Sequence, residues 1–414
     1  MAAEPRKVKE AIERFLAASR KPALQSEGDR LFRLEAGAYA LTERPDAIVL
    51  EAWNDETNLA RKIIGVKQQG PGRLDLTAER FGRKSGVISL VDLEHPAGAG
   101  VERTAQRRQF REQFGRFLRR CFTDWRLAEL TTEADLEHSL SPVYPRALLR
   151  RGTQAMAALG APASSGDGAL AFGLVWLDYL RRREPSLAIE GLILYLPLER
   201  IANTCLRLRW LDPAAARCLV FAHGPGRFEE AIDPQDHGNI DTSLDRCAGP
   251  EPKATPPLTP EARLEALVRN QIQAIAPDLI SAPVYGQVPA MLGLSRGVLD
   301  LLAVSNTGQL CVVELKAAQD LQLPVQALDY WLRVAWHAAR GEFGALGYFP
   351  GVPLLPDPPR LYLVAPAVQF HPTTERILRF FSPRIEVERV GVALPWENEV
   401  RVLFRARGAK APGI

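Results

Sequence analysis

The chain has 414 residues, 46% hydrophobic and 24% charged, with a formal net charge of +3. That length exceeds one ordinary core and fits two or three domains of a soluble globular protein, while so small a charge excludes wholesale attraction to nucleic acid; any such attraction must be local. Five scattered cysteines without a CxxC pair exclude a disulfide framework or zinc cage and fit a reducing cytosol, and no run of eighteen apolar residues is present, so a cytoplasmic protein with no membrane contact is expected.

In chain order, residues 8–18 carry a helical apolar pattern, and LFRLEAG, AYALTE, AIVLEAW and GVISLVDLE follow as strands between turn residues, predicting a β-rich domain over 1–103. A mixed α/β domain over 104–247 opens with the basic helix RTAQRRQFREQFGRFLRRCF. On it Arg107, Arg111 and Arg119 can share one side, opposite Phe110, Phe114 and Phe117. That side suits a nucleic-acid backbone, although an ordinary solvated face has the same pattern. AGPEPKATPPLTPE, residues 248–261, holds five prolines and predicts an extended linker over 248–259 before an α/β module at 260–414.

The module begins with a helix that Thr259 can cap, with Pro260 in its first turn and Leu264, Leu267, Val268, Ile272 and Ile275 as its apolar stripe. Glu265 lies at the edge of that stripe. Two apolar runs, Val298–Leu302 and Cys311–Lys316, then read as strands joined by Asn306-Thr307-Gly308, a three-residue hairpin loop with glycine in the left-handed position. Centred on Thr307, facing residues have numbers summing to 614, which sets Asp300 opposite Glu314 and places Lys316 on the same face. Two opposed carboxylates beside an ammonium, in otherwise apolar strands, are costly unless a hard divalent cation joins them. A helix from Pro324 buries Val325, Leu328, Trp331, Val334 and Ala335, with Gln326, Tyr330, Arg333 and His337 on another stripe. A strand at 360–365, a helix at 373–381 and a strand at 385–390 complete a mixed sheet.

Asp followed by ExK across a hairpin resembles the PD-(D/E)XK nuclease superfamily. The surrounding residues are similar to its NucS-type branch, in which GxxDLLAV precedes VVELK and a helix with QxxxY: here Gly297–Val304, Val312–Lys316 and Gln326–Tyr330. Leu299 stands where the superfamily name has proline. The resemblance covers residues 258–391 and implies a restriction-endonuclease-like mixed sheet flanked by helices. It also implies Mg²⁺ or Mn²⁺ held by Asp300, Glu314, the carbonyl of Leu315 and Glu265. Lys316 would orient the attacking water, and Gln326 and Tyr330 would face the scissile phosphate. Arg296 joins Arg107, Arg111 and Arg119 as an expected DNA contact.

The expectation is a multidomain α/β, metal-dependent DNA nuclease, in repair or in defence, acting alone or as a homodimer. A non-catalytic nucleic-acid-binding or scaffolding protein that retains the fold is the alternative. Gly72–Leu76 echoes the GxxDLL strand but is followed by no ExK, so a plain hairpin is expected there. Residues around GLVWLDYLRRR and IEGLILYLPLER could be a degenerate relative of the same fold lacking ExK, with no role assigned.

Overall fold

A computed structural model describes residues 4–26, 30–35, 37–53, 58–80, 83–225, 228–236, 259–292, 295–395 and 399–408. The expected proline linker falls outside them except for Thr259. The chain forms two compact units, Met1–Gln113 and Phe114–Ile414.

In the smaller unit, helix α1 (Pro5–Ala18) precedes strands β1 (Pro22–Ser26), β2 (Arg30–Arg33), β3 (Tyr39–Arg44), β4 (Ala47–Trp53), β5 (Asn58–Gly70), β6 (Arg73–Arg80) and β7 (Arg83–Asp92). They form one antiparallel sheet in the order β2-β1-β7-β6-β5-β4-β3. Val8, Ile12, Phe15 and Leu16 recur at helical spacing and seat α1 on Leu24, Ile48, Leu50, Ile63 and Leu76. Gly72 takes φ +65° in the β5–β6 turn. Asp75 accepts from Arg73 at 2.8 Å and from Ser89 at 2.6 Å, so the GxxDLL echo is a satisfied hairpin.

Helix α2 (Pro96–Cys121) begins well before the expected 103. A Cβ at Gly98 would lie 1.9 Å from the carbonyl oxygen of Asp92, so only glycine lets the first turn close against the end of β7.

The larger unit holds two six-stranded mixed sheets. The first contains β8 (Arg126–Thr131), β9 (Arg146–Arg151), β10 (Gln154–Gly160), β11 (Ala188–Pro197), β12 (Arg217–His223) and β13 (Glu229–Ile232), with α3 (Ala169–Arg183) after β10 and α4 (Ile201–Leu208) after β11. The second follows α5 (Pro260–Asn270) and α6 (Ile272–Ile275). It contains β14 (Tyr285–Leu292), β15 (Ser295–Val304), β16 (Leu310–Leu315), β17 (Arg360–Pro366), β18 (Val387–Val392) and β19 (Val402–Arg407). Here α7 (Leu323–Ala338) and the short α8 (Glu342–Ala345) follow β16, and α9 (Thr374–Leu378) follows β17. The expected α/β class, with helices on both faces of a mixed sheet, is what the chain adopts.

The two sheets have the same plan. In sequence order the neighbouring strands pair antiparallel, antiparallel, parallel, parallel and antiparallel in both. Equivalent segments meet reciprocally. Leu211, after α4, bridges Phe381, after α9. Asp212 N donates to Phe380 O and Ser382 N to Trp210 O, both at 2.8 Å. Likewise α3 packs on α9 and α4 on α7. Such reciprocity is the mark of a local two-fold axis. One apolar core runs through both sheets, joining Leu192, Leu194, Trp176 and Leu177 to Leu302, Val312, Leu328 and Trp331.

Candidate active site

The hairpin strands β15 and β16 divide their side chains between two cores. Leu301, Ala303, Val313 and Leu315 face α5 and α6, where Leu264, Val268 and Ile272 lie. Leu302, Val304, Leu310 and Val312 face α7. By the same alternation Asp300 and Glu314 belong to the α7 side.

The hairpin is tight. Ser305 N donates to Gln309 O at 2.9 Å and Gly308 N to Ser305 O at 3.0 Å, with Gly308 at φ +88°. Only glycine fits: a Cβ there would lie 2.0 Å from Pro353 O. Across it Leu301 faces Val313, Leu302 faces Val312, Ala303 faces Cys311 and Val304 faces Leu310, so facing numbers sum to 614. One further step sets Asp300 opposite Glu314. Asp300 Oδ2 accepts from Leu315 N at 2.8 Å, and Lys316 Nζ donates to Glu314 Oε1 at 3.1 Å. Glu314 is 2% exposed, and its other oxygen, Oε2, is buried with no hydrogen-bond partner.

The electrostatics follow. Burial raises the Asp300 carboxyl above its ordinary value, against the pull of the Leu315 amide and Lys316. Burial, then the charge of Asp300, pushes Glu314 well above its own, more than Lys316 can offset. Lys316 is held upward: burial works against its charge, but Glu314 and Asp300 together outweigh it. Burial and the same two carboxylates raise the phenol of Tyr330. At neutral pH Lys316 and Tyr330 are therefore both proton-bearing donors.

Lys316, Gln326 and Tyr330 line one cavity of about 540 Å³. Arg333, which the sequence marked only as part of the Gln326–Tyr330 stripe, also lines it, as do Tyr144 and Arg207 from the first sheet's segment. Arg207 grips Asp329 with Nε at 2.6 Å and Nη2 at 2.5 Å, and also pairs with Asp167. Asp329 lies one turn before Arg333 and still acts on it by charge, the main influence opposing burial. Arg333 is 5% exposed, with Nε and Nη1 buried and without hydrogen-bond partners.

Thr259 caps α5 as expected, accepting from Ala262 N at 3.2 Å, but the helix breaks at Gln271 and resumes as α6. Glu265 sits over β14, where a Cβ on Gly286 would come within 2.8 Å of its Oε1. Gly286 pairs with Leu301, so Glu265 lies on the α5 side of the sheet. Among the described residues no three acidic, histidine or cysteine side chains gather in a metal-holding group. Glu261, one turn earlier on α5, adds its charge to the surroundings of Asp300. On α2, Arg107 and Arg119 are exposed and Arg111 is half-buried, while Phe110, Phe114 and Phe117 are buried. The side chain of Arg296 lies outside the described residues.

No family model and no curated protein matches the chain. Among solved structures, that of EndoMS in apo form is similar over 48% of this chain and 87% of its own, at 9% identity and a TM-score of 0.16. A likeness that slight carries no argument. No helix among the described residues is long and apolar enough to cross a membrane.

The first sheet's segment has a site at the equivalent place. Lys316 N donates to Val364 O at 3.0 Å where Leu315 faces Val364, and Ala161 N donates to Tyr195 O at 2.8 Å where Gly160 faces Tyr195. Ala161 therefore stands where Lys316 does, and Leu159 where Glu314 does. Leu159 faces Arg146, which takes the place of Asp300. Arg146 is 2% exposed, and its guanidinium donates to the carbonyls of Ser141 and Glu133, both at 2.5 Å. This half has neither carboxylate nor ammonium at those three positions.

Proposed function

We propose that the chain is a metal-dependent DNA nuclease whose working centre is Asp300, Glu314 and Lys316. The observation that carries this reading is the buried, opposed pair Asp300 and Glu314, both carboxyls pushed up by burial, in which Glu314 Oε2 receives no hydrogen bond from any amide, hydroxyl or cation. Such a pair fits a divalent cation, with Asp300 and Glu314 as side-chain ligands and the carbonyl of Leu315 as a further oxygen donor. Mg²⁺ or Mn²⁺ bound there would polarise a phosphate and acidify a water. Glu265, on the α5 side of the sheet, is not retained as a ligand of the pair, whereas Glu261, whose charge acts on Asp300, is proposed to act through water.

The chain's own groups supply the rest. Lys316, held protonated between two carboxylates, donates to and orients the attacking water. Tyr330 and Gln326 present hydrogen-bond donors to the phosphate from the same cavity wall, and Arg333, whose Nε and Nη1 have no hydrogen-bond partner, offers its guanidinium to that charge. Exposed Arg107 and Arg119 are proposed, each on its own unit, as contacts to the DNA backbone. The resemblance of GxxDLLAV, VVELK and QxxxY to the NucS-type branch agrees with this reading.

The test is incubation with single-stranded, duplex, mismatched and branched DNA in Mg²⁺ or Mn²⁺, for the parent and Lys316→Met. Cleavage should appear with the parent and fall by about 10²–10⁴-fold in the variant. No cleavage of any DNA, together with no Mn²⁺ binding by electron paramagnetic resonance, would overturn the reading.

A further inference from the structure

The larger unit is built as a dimer within one chain. Two sheets of identical plan meet about a local two-fold axis, shown by the reciprocal amide bonds of Asp212 with Phe380 and Ser382 with Trp210. Two-fold proteins present equivalent positions to the two antiparallel strands of a duplex, whose strands are themselves two-fold related. Only one of these positions is chemically equipped. Where the second sheet has Asp300, Glu314 and Lys316, the first has Arg146, Leu159 and Ala161.

No cation can be held at the first position, because the guanidinium of Arg146 already occupies the place of a ligand and is fixed to the carbonyls of Ser141 and Glu133. Leu159 supplies no oxygen and Ala161 no proton donor. The substituted half is nonetheless kept in contact with the equipped one. Its Arg207 holds Asp329 of α7, and its Tyr144 helps line the cavity that contains Lys316 and Tyr330.

We infer that the chain cuts one strand of a duplex and leaves the other intact, with the substituted half holding the uncut strand. The inference rests on the nuclease reading above. Per binding event one water adds across one P–O bond: its oxygen joins phosphorus, the bond to the sugar oxygen breaks, and that oxygen takes up a proton. The product is a nick.

The experiment uses negatively supercoiled plasmid and single-stranded circular DNA, each with excess full-length protein in Mg²⁺ or Mn²⁺, resolved on gels over time. Open circles should accumulate until supercoiled substrate is consumed, with linear plasmid appearing only later as independent nicks coincide. Lys316→Met should slow open-circle formation by about 10²–10⁴-fold. Linear plasmid formed from the outset alongside open circles would overturn the inference while leaving the nuclease reading intact. So would nicking undiminished in Lys316→Met, which would place a second competent centre in the other half, or cleavage confined to single-stranded circles. Absence of cleavage on every DNA would instead overturn the nuclease reading, and this inference with it.

Discussion

Replacing Asp300 with Asn separates a functional carboxylate pair from a structural one. In the metal-free protein the pair is unfavourable: burial outweighs the Leu315 amide and Lys316 and raises the Asp300 carboxyl, and burial together with the charge of Asp300 raises Glu314. Asn keeps the shape and still accepts from Leu315 N. Relief of like charges facing across strands is worth about 0.2–1 kcal/mol. With an unfolding entropy of about 2.1 cal/mol/K per residue, that shifts the melting of a unit spanning Phe114–Ile414 upward by roughly 0.3–1.6 °C. Mg²⁺ at about 100 times its dissociation constant should add about 2.7 kcal/mol to the parent. On the same entropy scale this is roughly 4 °C, and it should be largely lost in the variant. The assay is differential scanning calorimetry of both proteins in EDTA and in Mg²⁺. A metal-free variant melting below the parent, with Mg²⁺ shifting neither or both equally, would show a self-neutralising structural cluster and refute the reasoning.

Three more outcomes are expected. Since Glu314 is raised well above 4.5 in the folded chain, the stability linked to its proton is fully present below about pH 4.5 and lost as pH climbs through the raised value; urea melts of the metal-free parent should show that loss, and Glu314→Gln should flatten it. Arg207→Met leaves Asp167 and Asp329 facing each other without their cation and should cost about 3–5 kcal/mol in chemical denaturation. Gly308→Ala puts a methyl against Pro353 O at a φ of +88° and should cost about 1–3 kcal/mol, with Asp300 and Glu314 losing register as read by reduced Mn²⁺ affinity.

The hairpin was legible because strong local signals coincide there: a left-handed glycine at Gly308, strands of period two, and a register that only one loop length allows. The α7 face was legible for the same reason, through the 3.6-residue recurrence of Val325, Leu328 and Trp331. Weakly patterned strands were harder. In β5, an interior strand, NLARKIIGVKQQG buries Ile63 among largely half-exposed or exposed neighbours, so its alternation is faint, and the edge strands β14 and β19 lack a clear signal as well. The start of α2 hid in PAGAG, whose helical state depends on a tertiary approach to Asp92 O rather than on propensity. The break at Gln271 leaves no mark in an apolar stripe that continues in phase across it. The duplication was legible only as a possibility, in the runs GLVWLDYLRRR and IEGLILYLPLER: the chemistry that identifies one half is what the other has replaced, and pairing order is a property of the backbone, invisible in side-chain types such as Arg146 and Leu159.

Because the two halves of the larger unit belong to one polypeptide and share one core, their pairing is immune to dilution. A pair assembled from separate chains comes apart below its dissociation constant and re-forms by random exchange, and two kinds of subunit would then give mixtures of three pairings. Covalent continuity removes that lottery, since the local concentration of each half about the other is set by the chain alone. Every molecule therefore contains one half bearing Asp300, Glu314 and Lys316 and one bearing Arg146, Leu159 and Ala161. The ratio is one to one, whatever the level of expression.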